Sequence, residues 1–198
     1  MLKADAQTTK ERIIAAALHV LKEKGFSGAT ARAIAERGDV NQALVFYHFG
    51  SVKNLLLAAL DATSAQRLER YEAAVAEAKS LSELMAVARE LYAEDLSSGH
   101  TAVVAEMVAG GVNDPELGPE ITRRIDPWIT FAETAITRAL AGTPFEHIVP
   151  IRDLAFAVVA FYIGIELMTA LEDDRSRAQG LFELVERYAP LIAPTDGR

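Results

Sequence analysis

The sequence predicts an all-α protein, with three short helices in residues 1–60 and a bundle of longer helices in residues 61–198. Three observations carry this expectation. Apolar residues recur at i, i+3, i+4 and i+7. Ser, Thr, Asn and Asp stand at N-cap positions ahead of those runs, with Gly or Pro after them. No strand pair, internal repeat or low-complexity tract interrupts the pattern.

Taken in order, Thr8 and Glu11 have capping-box spacing, and Ile14, Ala17, Leu18 and Leu21 carry a first helix to a left-handed stop at Gly25. Phe26 anchors the turn that follows. Thr30 caps a short helix over 31–37 that Gly38 closes, and Asn41 caps a third that runs to about His48. Gly50-Ser51 breaks the chain before an apolar run from Leu55. Ser80 and Glu83 repeat the capping-box spacing ahead of Leu84, Met85, Ala88, Leu91 and Tyr92, in a helix closed by Ser98-Gly99. A short apolar helix over 101–109 is expected to end in a turn at Gly110-Gly111. Asp114-Pro115 and Asp126-Pro127 both have the form of an N-cap followed by N1, so 115–141 reads as two helices or as one kinked at Pro127. Pro150 opens a helix lasting to about Leu171. Ser176 with Gln179 opens a last one that Pro190 terminates.

Composition bounds the function. A chain of 198 residues with 51% hydrophobic and 24% charged residues can bury a core as one large domain or two small ones. Without cysteine there is no disulfide framework, thiolate metal site or cysteine nucleophile, and a reducing cytoplasm is the expected location. The polar stretch from Met1 to Lys10 lacks the apolar core and cleavage site of an export signal. The net charge of −8 argues against a nucleic-acid partner until its distribution is seen. Residues 1–60 carry eight Lys/Arg against five Asp/Glu, a balance of +3, and residues 61–198 carry twelve against twenty-three, a balance of −11. A basic head on an acidic body can approach DNA in one orientation.

Residues 154–171, LAFAVVAFYIGIELMTAL, suggest a membrane span but fall short of the roughly 20 residues one needs and contain Glu166. A helix apolar on all sides is covered twice, by its own core and by something else. A second copy of the chain is the economical cover, so a homodimer through the last two helices is expected and a membrane is not.

The segment NQALVFYHFGS, residues 41–51, decides the role of the head. At 100° per residue Gln42, Ala43, Phe46 and Tyr47 share one face, and Leu44, Val45 and His48 point away with Val40 and Phe49 nearby. The second set can pack on helices one and two. The first is presented outward across a tight Gly38-Asp39 turn, the helix-turn-helix plan that places a second helix in a DNA major groove. Gln42 can pair bidentately with an adenine edge, small Ala43 lets the backbone approach, and Tyr47 can donate its hydroxyl to a phosphate. Phe46 is assigned to core filling by a slight rotation of the helix, and His48 reads equally as a buried, hydrogen-bonded histidine or a phosphate ligand.

Residues 9–60 resemble the DNA-binding head of the tetracycline-repressor (TetR) family. The resemblance runs through a first helix, the Gly25-Phe26 turn, Thr30-x-x-x-Ile34-Ala35, Val40-Asn41, an aromatic run and Gly50-Ser51, about a quarter of the chain. It implies a helix-turn-helix head (1–60) on a helical-bundle domain for ligand binding and dimerisation (61–198). It further implies that Thr30 and Lys53 touch phosphates, that Arg32 and Gln42 approach bases, and that Tyr47 and His48 brace the DNA backbone. Asn41 and Ala43 complete the DNA-facing set. The family often has Lys directly after the Gly-Ser pair, where this chain has Val52 and then Lys53, and the sequence leaves open whether Lys53 takes over that contact. Arg12, Lys22 and Lys24 read as solvated charges.

Competing classes are weaker. His19, His48, His100 and His147 are scattered, with no His-Glu-x-x-His, no Glu-x-x-His pair and no Gly-rich phosphate loop, so neither catalysis nor a metal or other cofactor is expected. Asp173-Asp174 reads as a solvated helix junction. Polar residues set in apolar helices point instead to a small-molecule effector site, with Glu106 or Glu166 as the polar handle and Tyr92, His100, Trp128, Phe131 and Tyr162 around it. Arg89 is a further neighbour. A buried carboxylate needs a partner, and an internal Arg competes with a ligand for that role. Met85, Met107 and Met168 fit a pocket lining but more often fill a core. The expected protein is a ligand-responsive regulator, read as a repressor, that binds double-stranded operator DNA as a dimer; the alternative is a constitutive DNA-binding regulator with no ligand.

Overall fold

The computed structural model describes residues 2–78, 80–98, 100–172 and 176–192, and the chain is all-α. The elements are α1 (Leu2–Gly28), α2 (Ala31–Gly38), α3 (Gln42–Phe49), α4 (Val52–Ala76), α5 (Leu81–Ser98), α6 (His100–Val112), α7 (Leu117–Leu140), α8 (Ile151–Glu172) and α9 (Ser176–Tyr188), followed by a 3-10 turn (Ala189–Ile192). Gly99 and Asp173-Asp174 lie outside the described residues.

Several boundaries fall where local chemistry puts them. Thr30 Oγ1 accepts the Ala33 N–H, Asn41 Oδ1 accepts that of Ala43, Ser51 Oγ that of Asn54 and Ser80 Oγ that of Glu83. Each cap satisfies one of the N–H groups a helix start leaves without a partner. Helical geometry in α1 breaks at Gly25, with φ at 68°, where a side chain would be strained. The helix begins at Leu2, so Thr8 lies inside it and does not cap it; residues 2–7 contain no Gly or Pro to stop it.

Packing divides the chain into two compact units, Met1–Gln66 with Ala102–Arg124 and Arg67–Thr101 with Ile125–Arg198. In the first, Ile13, Ala17, Val20 and Leu21 of α1 share a core with Ile34, Val45, Leu55 and Leu56. Most of α6 and the start of α7 pack with the head. Three contacts tie them there. Phe26 N–H donates to Glu106 Oε2 at 2.8 Å, Lys53 pairs with Asp114 at 2.6 Å, and Arg124 forks onto Asp61 at 2.7 and 2.9 Å.

One expectation is corrected here and one open alternative is decided. Gly110-Gly111 is no turn; both glycines lie inside α6. A Cβ on Gly110 would sit 2.6 Å from the Phe26 ring, and one on Gly111 2.6 Å from Ile121 Cδ1, so the glycines mark close packing and not a helix end. Of the two readings left open for 115–141, the single helix is the one found: α7 runs through Pro127. Its buried Leu117, Ile121, Ala132 and Ala135 stay in phase across the proline, so one stripe continues through it. Asp114 does cap, accepting the N–H groups of Glu116 and Leu117.

The second unit packs α5 against α8, α9 and the 3-10 turn. Among the described residues no single helix is long and apolar enough to cross a membrane. α3 and α4 are apolar enough only as a pair bent by 72°, and Val45, Phe49, Leu55 and Leu56 of that pair are buried in the first unit.

The packing of Gly110 on Phe26 is testable. Overpacking costs about 1–3 kcal/mol, whereas alanine gains only about 1 kcal/mol over glycine inside a helix. Gly110→Ala is therefore expected to lower Tm in a thermal melt, and the same substitution on a Phe26→Ala background to raise it.

Candidate nucleic-acid interface

The α2–α3 corner is built by a turn with its own lock. Asp39 takes a left-handed φ of 49°, and its N–H and that of Val40 return to the Glu36 and Ala35 carbonyls. From α1, Arg12 Nη2 donates to the Gly38 and Asp39 carbonyls at 2.9 and 3.0 Å, and Ala16 packs so close that a Cβ on Gly38 would lie 3.2 Å from its own. Arg12 is thus no idle charge. It closes the turn that sets the angle between α2 and α3.

With the corner fixed, the faces of α3 sort as the 100° projection required. Val45 and Phe49 are buried; Gln42, Ala43 and Tyr47 are exposed, Tyr47 at 81%. Phe46 joins them at 47% exposure, which corrects its assignment to the core: Val45 and Phe49, one turn apart, already fill the inward face. His48 is half-buried, its ring edge-on to Tyr47 at 5.0 Å and tilted against Phe49 at 6.3 Å.

The other expected contacts lie on or beside this face. Thr30 is exposed, and accepting the Ala33 N–H leaves its hydroxyl proton to donate. Asn41 caps through Oδ1, which leaves its amide N–H groups to donate. Arg32 lies on Glu36 at 2.9 Å, a contact that holds the guanidinium pKa up and the Glu36 carboxyl down. Arg32, Glu36, Asp39, Asn41 and Gln42 line a shallow concavity of about 440 Å³ at the corner. Lys53, in the first turn of α4, sits between Asp114 Oδ2 at 2.6 Å and Glu116 Oε2 at 3.3 Å. These contacts, Asp114 ahead of Glu116, hold its ammonium pKa up.

Residues 13–59 match the family profile described as "Bacterial regulatory proteins, tetR family". Residues 13–59 thus form a tetR-family N-terminal head. The chain is also 27% identical over 121 residues to the HTH-type transcriptional regulator CymR of Pseudomonas putida, a match that spans 61% of this chain and 60% of that relative. Among solved structures, a TetR-family transcriptional regulator from Cytophaga hutchinsonii superposes with a TM-score of 0.76 at 16% identity, over 97% of this chain and 98% of the other. FadR from Bacillus subtilis, solved in complex with stearoyl-CoA, superposes with a TM-score of 0.73 at 15% identity, over 93% and 98%. At such identities the superpositions establish the fold. The tetR-family profile falls on the corner just described, from Ile13, next to Arg12, to Ala59 in α4.

The residues expected around an effector separate. Tyr92, Trp128, Phe131, Tyr162 and Glu166 all lie in the second unit. Tyr71, missed by the sequence reading, stacks edge-on to Trp128 at 5.5 Å, and Tyr92 meets Tyr162 at 6.0 Å and Phe182 at 5.3 Å. Asp95, also missed, is the buried centre: Tyr162 donates to its Oδ2 at 2.8 Å, and Tyr71 and Arg67 bond it as well. Burial first, then the Asp95 carboxylate, raises the Tyr71 pKa; burial first, then the Glu166 charge, raises that of Tyr162, so both phenols stay protonated donors. Glu166 is buried, and Tyr92 shares a 2.7 Å hydrogen bond with Thr169. His100 is half-buried at the start of α6. Glu106 is in the other unit, on Phe26. Arg89 pairs with Glu186 at 3.1 Å, Met107 is core, and Met168 is 56% exposed.

Arg12→Ala leaves two turn carbonyls without their donor and is expected to cost about 1 kcal/mol of stability. It is also expected to weaken DNA binding, although Arg12 lies behind the reading face. Thermal melts and electrophoretic mobility shifts check both, and Arg12→Lys restores only part of each because lysine lacks the fork.

Proposed function

We propose that the protein is a homodimeric, ligand-responsive repressor acting in the cytoplasm on palindromic double-stranded operator DNA. The observation that carries the DNA reading is the outward face of α3, where Gln42, Ala43 and Tyr47 stand exposed beside Thr30, Arg32 and Asn41. His48 and Lys53 flank that face, as a brace for the DNA backbone and a phosphate contact. A polar, aromatic surface on a short helix held by a locked turn suits a major groove, with Gln42 at the base edges and Tyr47 and Thr30 at phosphates.

Pairing is supported by the apolar side chains that α8 and α9 leave in solvent. Phe156, Phe161 and Leu171 on α8 and Leu184, Val185 and Tyr188 on α9 are between 41% and 81% exposed. A Cβ on Gly164 or Gly180 would meet nothing within 4 Å, so both helices can be approached closely. A symmetric pair presents two α3 helices, and a two-fold operator mirrors that symmetry.

The effector reading rests on the polar and aromatic interior of the second unit. The stearoyl-CoA bound to Bacillus subtilis FadR supports small-molecule control in this fold. In this chain the buried Asp95 and Glu166, with Tyr92, Tyr162, Trp128 and Phe131 around them, favour an effector that carries a hydrogen-bond donor or a cation over a plain fatty acid. An effector that prefers a state in which the two α3 helices no longer fit successive grooves weakens operator binding, typically by about 1–3 kcal/mol of coupling. Saturation of Asp95 by Arg67, Tyr71 and Tyr162 favours the second reading, a constitutive regulator without a ligand. A thermal-shift screen of metabolites followed by DNA-release assays separates the two.

Gln42→Ala is expected to relax specificity at one base position per half-site and to cost about 1–3 kcal/mol of DNA binding, read by competition against singly substituted duplexes. Phe161→Glu is expected to yield monomers with unchanged helical content and lost operator binding, read by sedimentation, circular dichroism and mobility shift. A wild type that sediments as a monomer at micromolar concentration contradicts the pairing.

A further inference from the structure

Lys53 is the cation nearest the start of α4, two residues beyond the Ser51 cap and four beyond the end of α3. A duplex docked on the outward face of α3 brings its phosphates to this end of the head. In the structure the ammonium lies instead on two carboxylates of the link between α6 and α7: Asp114 Oδ2 at 2.6 Å and Glu116 Oε2 at 3.3 Å. Asp114 is held in place for this, because its other oxygen accepts the N–H groups of Glu116 and Leu117 at 3.1 Å and so caps α7. Glu116 is mostly exposed and its carboxylate lies open to solvent beside the lysine.

We propose that Asp114 and Glu116 stand in for a DNA phosphate, holding Lys53 in the free protein and giving it up when the head docks, so that the α6–α7 link sets DNA affinity. The proposal rests on the reading that the α3 face docks on DNA. Two anions around one ammonium compete with a third, since they occupy N–H groups of a compact charge and repel a further anion brought up beside them. The exchange is reversible because the pair is partly exposed: an ion pair at such a site is weak enough to break for a phosphate contact, which also releases a counterion from the duplex. Because the acids belong to the segment that packs with the head through Glu106 and Gly110, any shift of that segment changes how firmly Lys53 is held.

The test is a cycle of full-length variants titrated by fluorescence anisotropy over a range of KCl, with a duplex that the wild type has selected from a random-sequence library. Asp114→Asn keeps a capping oxygen and Glu116→Gln keeps the shape, so the double variant removes charge alone. It is expected to bind the duplex about two- to fivefold more tightly than the wild type at low salt. On that background Lys53→Ala is expected to lower the slope of log K against log salt by about one. The affinity gain is expected to vanish when the acid substitutions are made on a Lys53→Ala chain. A gain that persists without Lys53 is bulk charge and overturns the proposal, as does a double variant that binds no more tightly. If the library yields no selected duplex, the DNA reading itself falls, and the competition falls with it.

Discussion

The first unit depends on one hydrogen bond made across 80 residues of sequence, from the Phe26 N–H to Glu106 Oε2. Gly25 must be left-handed to aim that N–H, and a Cβ on Gly25 would itself meet the Glu106 carboxylate at 2.8 Å. Gly110, one turn on from Glu106, must be bare for the Phe26 ring to lie against α6. These conditions place α6 on the turn between α1 and α2. Arg12 then fixes the α2–α3 turn at the other end of α2. The orientation of α3 follows from the two together, and with it the exposure of Gln42 and Tyr47.

This arrangement changes what a regulatory region means for this chain. Residues 102–124 are remote from the head in sequence but pack as part of it, so α6 and the start of α7 bear on the turn after α1, at Phe26, and on α4, at Lys53 and Asp61. Ion pairs at Lys53 and Arg124 add charge contacts to the Phe26 packing. Such contacts can have two settings, held or released, and that is the physical requirement for a signal carried by small shifts. In the second unit the polar groups are arranged otherwise, with three donors on the Asp95 carboxylate and aromatic rings enclosing them. An interior of that kind is costly to bury unsatisfied and is fixed in shape when satisfied.

What the sequence made legible was whatever short-range chemistry decides. The caps at Thr30, Asn41 and Ser80, the stop at Gly25 and the faces of α3 all follow from residues within a few positions of each other. Gly110-Gly111 misled because a glycine pair is locally a stop, and only the Phe26 ring against Gly110 and Ile121 against Gly111 show why the two glycines are bare. Pro127 left two readings open because Asp-Pro is locally a start, whereas the buried stripe of α7 that decides between them runs through it. Arg12 was passed over because its acceptors lie 26 and 27 positions away. Asp95 stands in a run of polar residues, YAEDLSSG, that looks solvated, and its three donors come from α4 and α8. Long-range pairing of polar groups carries no periodic signature, so the interior of the second unit was only half legible, through its aromatic residues.

The central claim is that two copies of the α3 face read DNA together, and its most direct measurement is selection of duplexes from a random-sequence library by the wild-type protein, followed by hydroxyl-radical footprinting of the enriched sequence. The expected result is an inverted repeat with half-sites centred about one helical turn apart, or a multiple of it, each protected on one face. Recovery of no enriched sequence, or of a single unsymmetrical site protected once, contradicts it.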